Sequence, residues 1–186
     1  MTQPNELRSM RTIQFLVAFI LIFNLSGCTE EPKQITNTVS TFYFIRHAEK
    51  DRSDPENIDP ELSQKGLGRA MHWAEILDDV AIDAIYTTDY ERTQMTAAPT
   101  AVKKNLTVQY YDLASLDIQQ FKQDNLDKKV LVVGHSNSTP DFVNKMIGTE
   151  KYGQIDDRQN GSLFIVEINN GFTSDMRLNF NCNCPD

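Results

Sequence analysis

Two histidines are notable for where they fall. His47 and His135 each follow directly on a run of apolar residues, in Phe44-Ile45-Arg46-His47-Ala48-Glu49 and in Val132-Val133-Gly134-His135-Ser136. The chain has only three histidines, so two at equivalent strand ends is not the pattern of scattered core or surface residues. An imidazole there can serve as a nucleophile or as an acid–base group near neutral pH. Arg46, beside the first, adds a fixed cation whose planar fork suits phosphate or carboxylate oxygens. The third, His72, lies off the apolar stripe of its segment and is expected at the surface.

For the two imidazoles to share a site, the runs before them must lie side by side and point the same way. Residues 38–45 (TVSTFYFI) and 130–133 (VLVV) read as strands buried on both faces, with 84–86 and 108–111 as shorter candidates. Helical patterns lie between them. In 65–77 the apolar set is Leu67, Ala70, Met71, Ala74 and Leu77, and 90–102, 117–123 and 139–147 also read as helices. Strands alternating with helices imply an α/β fold: three layers, a mostly parallel sheet with helices on both faces. Residues 163–168 and 172–180 flank Asn169-Asn170-Gly171, which predicts a C-terminal antiparallel hairpin at the edge. Ligands of such sheets bind outside the carboxyl ends of the strands, where His47 and His135 fall.

A chain of 186 residues accommodates one ordinary domain. Its net charge of −8 argues against nucleic acid as a partner. An anion can still bind if a few cations converge in one pocket. Arg8 and Arg11 precede an apolar run of 13 residues, 13–25, too short for a membrane span and suited to a signal-peptide core. It ends in Leu25-Ser26-Gly27-Cys28, which resembles the bacterial lipobox. That resemblance implies cleavage after residue 27, lipidation of Cys28, and a membrane-anchored protein of the bacterial cell envelope on the periplasmic face. Thr29 in place of Asp favours the outer membrane on the same resemblance. Residues 28–38 then form a lipidated tether, and 39–186 the folded domain. Cys182 and Cys184 in the tail NCNCPD can pair with each other or offer two thiols to a metal.

Further motifs follow Arg46-His47-Ala48-Glu49 in order. Leu62-Ser63-Gln64-Lys65-Gly66 is followed by Arg69-Ala70. Residues 86–97 (YTTDYERTQMTA) carry Arg92, and Val133-Gly134-His135 closes the set. Together they resemble the signatures of the histidine phosphatase superfamily, the phosphoglycerate mutase-like proteins, across roughly residues 40–147. The resemblance implies a phosphatase working through a phosphohistidine on His47. Arg46, Arg92 and His135 would bind the phosphate of a small phosphorylated substrate, with no metal and no cofactor.

The chemistry is consistent with those residues. A phosphoryl group in flight carries spread negative charge and needs fixed donors around it. Two guanidinium groups supply forks and disfavour protonation of His47, leaving a nitrogen for in-line attack. The leaving group needs a proton. Ser136 stands where one branch of the family places an acid; the mutase-like branch places one after the third strand, and that resemblance makes Asp112 the candidate. Glu49, Asp51, Asp117 and Glu91 are alternatives, and a good leaving group would need little help. The loop with Asp51, Asp54 and Glu56 is expected to overhang the pocket and favour cationic substrates. Two other readings compete. Gly134-His135-Ser136-Asn137-Ser138 approaches a serine nucleophile elbow but has no later histidine to activate it. A non-catalytic phosphate-binding lipoprotein on the same fold is the other.

Overall fold

The computed structural model describes residues 38–184, which lie within one compact unit, Asn37–Asp186. The expected signal segment and Cys28 fall outside the described residues.

Among the described residues, six strands form one sheet in the order β3-β2-β4-β1-β5-β6. They are β1 Val39–Arg46, β2 Ala84–Thr87, β3 Val108–Tyr110, β4 Lys129–Gly134, β5 Ser162–Asn169 and β6 Phe172–Asn179. The helices are α1 Gln64–Ile76, α2 Glu91–Lys104, α3 Ile118–Asp124 and α4 Ser138–Ile147. Strands β1 to β4 are parallel, and the β5–β6 hairpin adds the antiparallel edge beside β1. Its turn uses two left-handed residues, Asn170 (φ 50°) and Gly171 (φ 85°), whose twist matches that of paired strands.

Side chains alternate across the sheet, so β1 contributes to both faces. Phe42 and Phe44 pack with Phe121 of α3 and Phe142, Val143 and Met146 of α4. Ile45, with Leu131 and Val133 of β4, packs with Trp73 of α1 and Ala97 and Ala101 of α2. The three-layer arrangement follows.

One expectation needs correction. The buried side of α1 is Gly66, Arg69, Ala70, Trp73 and Ala74, while Leu67 and Met71 are 39% and 56% exposed. The helix is rotated from the simple apolar stripe because Trp73 fills the core and Arg69 must reach Glu49. Cys182 and Cys184 are joined to each other by a disulfide.

Candidate active site

The site begins with strand register. In the parallel pair β1–β4, Arg46 stands opposite Gly134, so the next residue on each strand is a histidine. The His47 N–H donates to the Gly134 carbonyl at 2.9 Å. The two imidazoles lie with ring centres 5.5 Å apart at 63°. Gly134 cannot be replaced freely, since a Cβ there would sit 2.8 Å from both Tyr111 Oη and Thr139 Oγ1.

His47 is only 4% exposed. Its Nδ1 lies 2.8 Å from the Ala48 carbonyl oxygen. A carbonyl can only accept, so the proton sits on Nδ1 and Nε2 carries the lone pair. Nε2 has no hydrogen-bond partner among the described residues. Burial lowers the pKa of the ring to about 3, with Arg46, His135 and Arg92 adding to the shift and the Ala48 carbonyl opposing it. Proximity of the arginines alone predicted the direction; desolvation is the larger cause.

The segment after His47 is clamped from three sides. Asn160 Nδ2 donates to the His47 carbonyl at 2.9 Å. Ala48 N–H donates to Thr96 Oγ1 at 2.9 Å, and that hydroxyl donates in turn to the Arg92 carbonyl at 2.6 Å. Ser63, the N-cap of α1, donates its N–H to the Glu49 carbonyl at 2.9 Å. Arg69 grips the Glu49 carboxylate through Nε and a terminal nitrogen at 2.7–2.9 Å. A Cβ at Gly66 would meet the Glu49 carbonyl oxygen at 2.1 Å, so only glycine lets α1 approach this closely. The Leu62-Ser63…Gly66…Arg69 motif thus acts as a brace behind His47.

Both arginines hold carboxylates. Arg46, 1% exposed, donates to the Asp156 carbonyl at 2.9 Å and to Asp157 Oδ1 at 2.6 Å. Asp157 also takes Arg52 at 2.6 Å. Burial opposes ionisation of Asp157, but the two guanidinium groups outweigh it and hold the carboxyl below its usual range. Arg92 donates to Asp59 at 3.1 Å and lies 4.3 Å over the Tyr90 ring. The Nε of each arginine is buried without a hydrogen-bond partner among the described residues. Two orphaned donors in one small region indicate a place built for an anion.

His135 completes the group. Its Nε2 lies 2.8 Å from Thr88 Oγ1, and its Nδ1 is 3.5 Å from an Arg92 nitrogen. Since the guanidinium can only donate, Nδ1 accepts and Nε2 holds the proton. Burial first, then Arg92 and Arg46, lower its pKa to about 4.

The structure therefore brings Arg46, His47, Arg92 and His135 together. It does not bring Asp112 to them through any contact among the described residues. The Asp112 carboxylate accepts from the Ala114 N–H at 3.0 Å and the Ser115 hydroxyl at 3.2 Å, on an exposed turn past β3. The alternatives are also engaged: Glu49 by Arg69, Asp51 by the Ser53 N–H, and Asp117 as the N-cap of α3. Glu91, whose N–H bonds Asp59, lines an acidic cleft instead. Sequence reasoning missed Asp59, Asp157, Asn160, Tyr90 and Thr88. Tyr90 and Thr88 stand inside a motif that pointed to Arg92 alone, and the other three carry no local signal.

Residues 42–117 match the family model described as histidine phosphatase superfamily (branch 1). No curated protein sequence matches the chain. Among solved structures, the protein histidine phosphatase SixA complexed with tungstate is 15% identical, with a TM-score of 0.58 over 75% of this chain and 96% of its own. A mycobacterial glucosyl-3-phosphoglycerate phosphatase with inorganic phosphate is 16% identical, with a TM-score of 0.52 over 68% and 89%. A protein called mycobacterial hydrolase 1 is 14% identical, with a TM-score of 0.56 over 77% and 99%. At these identities the likeness is one of fold.

Proposed function

We propose that this chain, which belongs to the histidine phosphatase superfamily, hydrolyses phosphomonoesters or a related phosphoryl group by way of a phosphohistidine on His47. The observation that carries the proposal is the His47 tautomer. Nδ1–H is committed to the Ala48 carbonyl, which leaves the Nε2 lone pair unpartnered beside His135. The lowered pKa keeps that lone pair unprotonated across the neutral range.

In the first step Nε2 attacks phosphorus as the bond to the leaving oxygen breaks. The ring then carries positive charge, and the Ala48 carbonyl stabilises it through Nδ1–H. Arg46 and Arg92 present their forks to the non-bridging oxygens, and His135, its Nε2–H held by Thr88, walls the same group. Water then attacks phosphorus, the P–N bond breaks, and inorganic phosphate and free His47 are released. The leaving oxygen takes its proton from Asp112 if that turn rearranges, and otherwise from water. Asp59 and Asp157 are ion-paired and poorly suited as donors. This favours substrates whose leaving group is stable as an anion.

The same proposal places the protein at the cell envelope, with Cys28 lipidated. Metabolic labelling with palmitate that survives Cys28→Ser would refute the anchor. For the activity, the full chain in non-ionic detergent is assayed on p-nitrophenyl phosphate with EDTA present, beside His47→Ala. Turnover lost in the variant, with an acid-labile phosphorylated protein trapped in the wild type, is the expected result. Equal turnover in both would remove His47 from the mechanism.

A further inference from the structure

A cavity of about 490 Å³ opens beside the catalytic cluster, lined by Glu49, Arg52, Lys65, Asp157, Arg158 and Asn160. It meets the cluster at two points. Asn160 donates to the His47 carbonyl, and Asp157 holds Arg46. Both of its carboxylates are neutralised from within the fold, Glu49 by Arg69 and Asp157 by Arg46 and Arg52. Arg52 is one half of that pairing, but Arg158 has no such partner. The Arg158 side chain makes no hydrogen bond or ion pair among the described residues. Arg46, Arg52, Arg69 and Arg158 thus surround two carboxylates, in a chain whose net charge is −8.

Asp157 reports on what this arrangement accepts. One carboxylate is held by Arg46 and Arg52 together, each at 2.6 Å, so two forks already converge on an anion at the junction of pocket and cavity. The opposite flank has the reverse charge. Asp51, Asp54, Asp59, Glu61 and Glu91 line a separate cleft, which meets the cluster through the bond from Asp59 to Arg92. A substrate whose phosphate lies between Arg46 and Arg92 is therefore repelled on one side and drawn to the other. The recruitment of cationic substrates expected from the acidic loop belongs only to the acidic flank.

We infer that the cavity binds a second anionic group, a carboxylate or phosphate carried by the leaving group, with Arg158 and Arg52 setting the preference. The inference rests on the phosphatase reading for its substrate, but its test separates the two. The probes are 4- and 3-(phosphonooxy)benzoate, each beside its uncharged carboxamide. These pairs share shape and leaving-group chemistry and differ by one negative charge.

Binding is measured by calorimetry on the full chain in detergent carrying His47→Ala, which cannot turn the probes over. At least one benzoate is expected to bind about ten-fold more tightly than its amide, the worth of one charge-assisted contact. Arg158→Gln is expected to remove most of that difference, and Arg158→Glu to reverse it. With His47 intact, kcat/KM is expected to show the same preference. Equal binding of both pairs overturns the inference whatever the activity, as does an Arg158→Gln effect equal on benzoate and amide. A binding preference that persists when the wild type hydrolyses none of the probes would sink the phosphatase reading and leave the anion subsite standing.

Discussion

His47 is expected to make the protein progressively less stable in mild acid, by an amount that can be worked from its environment. Its pKa is about 3 in the fold against 6.5 for an ordinary histidine. Between those values the unfolded chain binds a proton that the folded chain refuses. The contribution is therefore fully present above pH 6.5 and is lost as the pH falls toward 3. Between about pH 7.5 and 4.5 the linkage relation gives a loss of about 2.7 kcal/mol from this one ring. Carboxylates in ion pairs also respond to acid, so the measurement must be a difference. Urea unfolding of the full chain is followed across this range for wild type and His47→Gln, which keeps a polar side chain that does not titrate. The stability advantage of wild type over variant should shrink by about 2–3 kcal/mol on acidification. A gap that stays constant with pH would mean that His47 titrates normally in the fold, and the argument for a free nucleophilic nitrogen would fail with it.

Asp157→Asn should lower KM for p-nitrophenyl phosphate and the inhibition constant of inorganic phosphate about five-fold, since an ion pair with one exposed partner is worth about 1 kcal/mol; a higher KM would instead make Asp157 an aligner of Arg46. Thr88→Val removes the hydroxyl at Nε2 of His135 and should cut kcat about ten-fold with little change in KM, the loss of one hydrogen bond to a ring that the proposed mechanism sets against the phosphate. Unchanged kcat would show that packing alone orients the ring. Gly134→Ala should cost about 1–3 kcal/mol in thermal or urea unfolding through its clash with Tyr111 and Thr139; wild-type stability would contradict the tight approach of α4 to the strand end.

The parts of this fold legible in sequence were those written in local pattern. The runs ending at Arg46 and Gly134 are buried on both faces and fall at the centre of the sheet, and the Asn169-Asn170-Gly171 turn supplied the hairpin. Arg46, His47, Arg92 and His135 could be read because strand ends and a helix start place them. What could not be read depends on contacts across long stretches of chain. Asp157 reaches Arg46 from 111 residues away and Asn160 reaches His47 from 113, in a segment without regular structure. Nothing near Asp59 marks it as the partner of Arg92. The rotation of α1 is not legible because a periodic stripe does not reveal that an arginine inside it has a half-buried carboxylate to meet.

Asp59 and Asp157 also bear on how a reaction cycle ends. Under the proposed mechanism each would return to its own guanidinium when phosphate leaves, so product would depart by exchange of one anion for another. On that reading the arginines would keep an anionic partner throughout, and the net charge facing His47 would change little over the cycle. Phosphate is held only by its advantage over the carboxylate it displaced. A pocket that works this way would release product readily and keep its arginines in place for the next substrate.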